Sequence, residues 1–239
     1  MKHKKTLIII GLIVILSGCS DFMMICSLNP FYLEKNVSLA PEIEGKWIAR
    51  PIRPKEEYDK KENPQWELTD TLSTWQIRRF IAKEKQQTKR GTDSTVYKPQ
   101  NFYVVKLAGN SPDSVRYEFH LTVFRINGDW YGDFCPRDIT DIRNSRMAKE
   151  NYLSVHTLAR ISFQNKQFKV SWLGAEYMKD MIEQKRVRII YRYVPNAKRL
   201  LLTATSEDLT EMLNRYAHQK RFIDWENQPA MMQFTPVKQ

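Results

Sequence analysis

Histidine is scarce in this chain, four in 239 residues, and that scarcity narrows the chemistry. His3 lies in the basic start. The others are His120, His156 and His218, and no two stand at the i, i+4 spacing with which a helix offers a pair of metal ligands. The three cysteines, Cys19, Cys26 and Cys135, contain no C-x-x-C pair, so neither a dithiol redox centre nor a zinc clip is written locally. There is no G-x-S-x-G elbow, no P-loop and no G-x-G-x-x-G turn. A cysteine–histidine dyad through Cys135 would require the fold to bring distant residues together. No metal site and no cofactor is expected. The chain also lacks a long apolar run: Leu7 to Leu16 is ten residues, against roughly 20 for a helix that crosses a bilayer. Nor is there the long Lys/Arg run of a phosphate-tracking tail, and no nucleic-acid partner is expected.

What stands in that short apolar run is informative. Lys2, Lys4 and Lys5 precede it, and it ends in Leu16-Ser17-Gly18-Cys19, with Asp21 after it. A charged start, a short apolar centre and small residues at the cut have the build of a secretory signal. The last four residues resemble the lipobox of bacterial lipoproteins, whose cysteine receives a diacylglyceryl group and becomes the new N-terminus. Residues 1–18 are then a signal peptide and Cys19 a lipidation site. The alternative is an ordinary signal cut nearby. Two or more acyl chains, at about 0.8 kcal/mol per buried methylene, hold a protein on a membrane stably without a transmembrane helix. The expected location is the cell envelope, on the outer membrane or the periplasmic face of the inner one.

Removal of residues 1–18 leaves 221 residues with 35 basic and 27 acidic side chains, enough for one domain and a tether. A hydrophobic content of 42% with 12% aromatics supports a true core. Residues 19–40 read as a tether broken by Asn29-Pro30 and Ala40-Pro41, and residues 41–239 as the folded domain. Cys26 and Cys135 would remain in an oxidising compartment, as a disulfide or as two thiols. Pro51 to Gln65 reads as a polar loop.

From Trp75 onward the pattern is β. Trp75–Ile81 and Phe102–Leu107 read as strands, with a charged turn over Lys83–Gly91. Val115, Tyr117, Phe119, Leu121 and Val123 alternate with polar residues, the period of a half-buried strand. The register changes at Phe124-Arg125-Ile126, which suggests a bulge. Asn127-Gly128 supplies a tight hairpin turn. Val155, Thr157, Ala159, Ile161 and Phe163 share a face; Gln164–Gln167 turns the chain into Phe168, Val170 and Trp172. Gly174 to Gln184 switches to helical period. Val187, Ile189, Tyr191 and Tyr193 read as a strand with Arg186, Arg188 and Arg192 on its reverse face, and Leu200–Ala204 as another. Leu209, Met212, Leu213, Tyr216 and Ala217 mark an amphipathic helix opened by a Thr205-x-x-Asp208 capping box. The expected class is mainly β, an antiparallel barrel with two short helices in the C-terminal half; an open sheet packed by two helices is the rival.

Gly45-Lys46-Trp47 at the head of the first strand resembles the G-x-W signature of lipocalin-like barrels. With Ser27-Leu28-Asn29-Pro30-Phe31-Tyr32, Trp130-Tyr131-Gly132-Asp133, Val155-His156 and Leu201-Leu202-Thr203-Ala204-Thr205, the chain resembles a group of uncharacterised lipocalin-like Gram-negative lipoproteins over roughly residues 27–225. The resemblance implies a lipocalin-like or calycin barrel and no known activity.

A barrel of about eight strands is either filled by side chains or holds one small ligand. Trp47, Tyr117, Phe119, Trp172 and Tyr191 are the candidate pocket residues, with simple core packing as the plainer account. Arg186, Arg188 and Arg192 are candidate anion contacts, or the solvated side of a strand. Asn127, Asp129, Asp133, Asp138 and Asp141 form an acidic group whose spacing matches no calcium loop. The expectation is a non-catalytic, lipid-anchored envelope lipoprotein whose barrel binds a small apolar ligand or an envelope partner. The alternatives are an accessory subunit of an envelope complex without a small ligand, and an enzyme acting on the envelope.

Overall fold

The computed structural model describes residues 24–54, 66–70, 72–87, 93–108, 117–139, 154–194 and 199–238. The strands are β1 (Cys26–Ser27), β2 (Gly45–Pro54), β3 (Trp66–Leu68), β4 (Ser73–Gln87), β5 (Asp93–Ala108), β6 (Tyr117–Ile126), β7 (Asp129–Ile139), β8 (His156–Gln164), β9 (Gln167–Trp172), β10 (Tyr191–Val194), β11 (Arg199–Leu202) and β12 (Ala230–Pro236). Helix α1 spans Ala175–Glu183 and α2 spans Ser206–Tyr216.

Strands β2, β4, β5, β6, β7, β8, β9 and β12 close into an eight-stranded antiparallel barrel. Two tight turns set its register. Asn127 (φ 53°) and Gly128 (φ 87°) join β6 to β7, and Asn165 (φ 46°) and Lys166 (φ 61°) join β8 to β9; paired left-handed residues match the twist of the flanking strands. Closure is the work of β12, which pairs with β9 from Ala230 to Phe234 and with β2 from Met231 to Pro236. A closed sheet leaves no open edge around the barrel.

The interior is a continuous aromatic packing. Trp47 meets Phe168 edge-on at 4.7 Å, Phe168 stacks on Phe234 at 4.4 Å, Phe234 meets Trp75 at 4.9 Å, and Trp172 bridges Trp75 and Phe134. Gly132 completes the fit. A Cβ there would come within 2.9 Å of Leu121 Cδ1 and 3.2 Å of Ile161 Cδ1, so the space a larger residue would need is already taken.

A second core lies outside the barrel. Phe124, Ile126, Tyr131 and Leu158 point outward from β6, β7 and β8 and are covered by α1, α2, β11 and the segment around Ile25 and Phe31. This explains Phe124-Arg125-Ile126. The β6–β7 ladder runs unbroken from Phe119 to Ile126, and the irregularity lies between Glu118 and Phe119 instead. The apolar residues switch faces because both faces are buried at that end of the strand.

Other expectations shift in the same way. The β4–β5 hairpin extends through most of the expected turn, with ladder pairs out to Gln87 and Asp93. The segment expected as a tether is part of the fold from Met24 on: Ile25, Phe31 and Ala40 are fully buried, and Cys26–Ser27 pairs with β8 and with β11. The strand expected over Val187–Tyr193 is regular only from Tyr191 to Val194. Residues 55–65, most of the expected polar loop, lie outside the described residues, as do Cys19 and residues 1–18, the expected signal peptide. The helices fall where helical spacing placed them, and Thr205 Oγ1 accepts the Asp208 amide at 3.2 Å as the cap of α2.

Candidate functional site

The described cavities include none that is enclosed by the barrel strands; the largest is an open cleft of about 1050 Å³ at one barrel mouth. It lies where the β8–β9 turn, the start of β2 and the end of β12 come together. Trp47 and Phe163 form its apolar floor. Lys46, Arg78, Lys166 and Lys238 face Glu42 and Glu44 around the rim. Indole Nε1 of Trp47 donates to the Ile43 carbonyl at 2.7 Å, which fixes the ring as a wall. Such a site fits an amphipathic segment of mixed charge better than a fully apolar molecule, which gains most from a concave, enclosed pocket.

The candidate pocket residues do not share one space. Trp47 and Trp172 are buried in the aromatic interior. Phe119 is partly buried against that core, and Tyr117 is exposed beside it, paired with Leu107 and Ile139 at the end away from the Asn127–Gly128 turn. Tyr191 is outside the barrel altogether, exposed on β10. The expected common face fails for Tyr191 because β10 belongs to the extension β1–β11–β10 that leaves the barrel at β8.

A polar cluster that spacing alone did not single out sits on the outer face of β7 and β8. Asp133 is 2% exposed; one carboxylate oxygen is 2.7 Å from His156 Nδ1 and the other accepts the Phe31 amide at 2.8 Å. Burial pushes this carboxyl up from its ordinary range, while the bonds from His156 and Phe31 draw it down. Around it, Asn29 Nδ2 donates to the Ala204 carbonyl at 2.8 Å, and Thr210 Oγ1 donates to the Phe31 carbonyl at 3.4 Å. The segments 27–32, 130–133, 155–156 and 201–205, separated in sequence, therefore meet at one place. The signal available in sequence was their joint presence; what it encodes is a clamp that fixes the N-terminal segment to the barrel wall.

Cys135 lies beside the clamp. It lies across from His120 on β6, two positions beyond Asp133. Its thiol is 3.0 Å from Ser154 Oγ, and burial raises it above the ordinary thiol range. A thiol so held is protonated and a poor nucleophile. Neither Asp133 nor His156 lines a described cavity. The histidine and carboxylate are together, outside the described cavities. His120 packs against Phe102 and Phe80, and His218 Nδ1 is 3.4 Å from Asn127 Nδ2.

The acidic group disperses. Asp129 pairs with Arg160 at 2.8 Å, Asp133 is committed to the clamp, and Asn127 donates to the Asn214 carbonyl. Asp141 and the side chain of Asp138 lie outside the described residues. Among the described residues no three His, Cys, Asp or Glu side chains converge as metal ligands. Cys26 and Cys135 form no disulfide; the Cys26 thiol lies 3.7 Å from the Met24 carbonyl. Arg186, Arg188 and Arg192 are all exposed, but only Arg192 is on a strand. Arg186 donates to the Arg221 carbonyl and lies 5.5 Å from the centre of the Phe222 ring. No family model, curated protein or solved structure matches the chain.

Proposed function

We propose that this protein is a lipid-anchored, non-catalytic lipoprotein of the Gram-negative cell envelope, and that its lipocalin-like barrel binds an envelope partner at the open mouth. The observation that carries the binding part is the contrast within the barrel. Its interior is filled by Trp47, Trp75, Phe134, Phe168, Trp172 and Phe234, whereas the mouth floored by Trp47 and Phe163 is open and rimmed with both charges. The anchor part is supported by Leu16-Ser17-Gly18-Cys19 and by the clamp that seizes the chain at Phe31, twelve residues later. A small ligand resting on Phe163 beside the edge of Trp47 is the second reading, favoured by the exposure of Phe163 at the cleft floor.

Two measurements test this. Labelled fatty acid should enter the wild-type protein and not a Cys19→Ala variant; equal labelling overturns the anchor. A photo-crosslinker at Lys166 should capture a defined envelope protein that the same group at Glu207 on α2 does not. Stoichiometric recovery of a small apolar molecule from the purified protein, with no crosslink at the mouth, would replace the leading reading with the second.

A further inference from the structure

Between Lys185 and Arg199 the chain carries six basic residues and no acidic one. Val187 is buried and Ile189 packs partly on the outer core, but the residues that follow turn outward: Ile190 is 63% exposed, Tyr191 43% and Tyr193 51%. They lead into and form β10, the last strand of the sheet, which among the described residues pairs only with β11. An apolar edge strand left open invites non-specific pairing, and proteins ordinarily cover or charge it. Here it is both apolar and flanked by arginine.

The register shows what lies beside it. Cys26 stands opposite Leu201, which stands opposite Arg192; Ser27, Leu202 and Tyr191 align in the same way. β1 therefore runs antiparallel to β10, and its beginning lies at the Tyr193–Val194 end. The chain entering β1 comes from Cys19, five residues before Met24, a span of at most about 17 Å. β1 and β10 are two strand spacings apart, about 10 Å. Acyl chains on Cys19 would hold this end of the sheet close to the headgroups, and the Asp133 clamp leaves the N-terminal segment little freedom to swing away.

We propose that β10, with Arg188 and Arg192, docks on the anionic phospholipid headgroups of the membrane that receives the Cys19 lipid. The proposal rests on the lipidation reading for its geometry. Tyrosine suits the interface, with an apolar ring and a polar tip, and guanidinium matches phosphate in a two-pronged hydrogen bond. The neighbouring helices confine the contact to the edge. Lys179 and Glu183 border Tyr191 and Tyr193, and Asp208, Glu211 and Arg215 border Arg188. Each helix is nonetheless net acidic, α1 with Glu176, Asp180 and Glu183 against Lys179 and α2 with Glu207, Asp208 and Glu211 against Arg215, so tilting either helix toward an anionic surface meets net repulsion. Docking in this pose fixes which way the barrel mouth points.

The test uses the intact lipoprotein in vesicles of phosphatidylcholine alone or with one-third phosphatidylglycerol. Amide exchange at residues 190–194 should slow several-fold in the anionic vesicles only. An Arg188→Ser/Arg192→Ser variant should lose the slowing while its barrel amides exchange as in wild type. Equal exchange in the two membranes, or slowing retained by the variant, overturns the proposal. Mass spectrometry of the N-terminal peptide tests the anchor separately. Should no acyl group be found there, a Cys19→Ser chain compared with the same chain carrying Arg188→Ser/Arg192→Ser judges the strip, and the flotation attributed to it is the part that the arginine changes remove. Flotation with anionic but not zwitterionic vesicles supports it, and no flotation overturns it. Competition of that flotation by a DNA duplex at equal phosphate would mark a general polyanion site and overturn the membrane assignment.

Discussion

The molecule has two cores, one on each side of the same strands, and they are built differently. Inside the barrel, residues from all eight strands meet, with rings of β2, β4, β7, β9 and β12 in contact, and removing any one strand opens the rest. Outside, four residues of the barrel wall are covered by elements added from both ends of the chain: Ile25 and Phe31 from the N-terminal segment, and α1, β11 and α2 from the C-terminal half. The inner core depends on closure. The outer core depends on docking, and what docks comes from both the N-terminal segment and the C-terminal half. The difference implies that the outer layer is the adaptable one, able to loosen while the barrel stands.

The largest expected effect breaks the inner core. Trp172 lies where β9 pairs with β8 and β12, and its ring touches Trp75 and Phe134. Trp172→Ala should cost about 3–5 kcal/mol and unfold barrel and helices together, so that far-ultraviolet and near-ultraviolet signals disappear in one denaturant transition. Leu213→Ala, in α2 under the outer core, should cost about 2–4 kcal/mol but split the transition, with helix signal lost first and barrel tryptophan signal later. A single coincident transition in both variants would show that the two cores are one cooperative unit.

Asp133→Asn sharpens the comparison at the seam. Both carboxylate oxygens accept, from Phe31 N–H and from the His156 ring; an amide can accept from Phe31 but can meet His156 only by donating to Nδ1 after the ring changes tautomer, which removes the charge-assisted bond. The expected loss is about 1–3 kcal/mol, with amide exchange rising through residues 25–31 more than in β4 or β5. Thr205→Ala removes the cap of α2 and should cost about 1 kcal/mol, confined to the outer layer.

How much of this was legible in sequence follows the same division. Stretches with one buried face declared themselves: Leu121 and Val123, before Phe124 in β6, and Ala159 and Ile161, after Leu158 in β8, alternate as a half-buried strand must. Both tight turns and both helices were readable from local chemistry. The reading failed where burial is two-sided or local preference weak. Phe124 next to Val123 looks like a register change unless an outer layer is known. β12 closes the barrel with Ala230, Met231, Met232 and Gln233, residues with little β preference, so its pairing is set by the strands on either side. Of the candidate site residues, Trp47 and Trp172 were recognisable as inward-facing, but no periodicity distinguishes a ring that lines a space from one that fills it. The clamp was out of reach because Asp133, His156 and Phe31 are joined only by tertiary contact.

The smallest expected effect separates the outer wall that is covered from the part that is not. His120 points outward from β6, beyond the helices, against Phe102 and Phe80, and its Nε2 is buried without a partner among the described residues. Burial, with the nearby Arg137 guanidinium, lowers its pKa below the ordinary 6.5. In the unfolded chain the ring takes up a proton near that ordinary value, and in the fold it resists until the pH is lower. Between the two values the unfolded state binds more protons, so the fold is most stable above about pH 6.5 and weakens as the pH falls toward the depressed value. A His120→Phe variant keeps a ring in the aromatic group and removes the titration. Its unfolding free energy, measured from about pH 8 down to about pH 5, should decline less steeply than that of wild type. Parallel curves would mean that this stretch of wall is open enough for the charged ring to be solvated, and that the tightly packed exterior is limited to the surface under the helices.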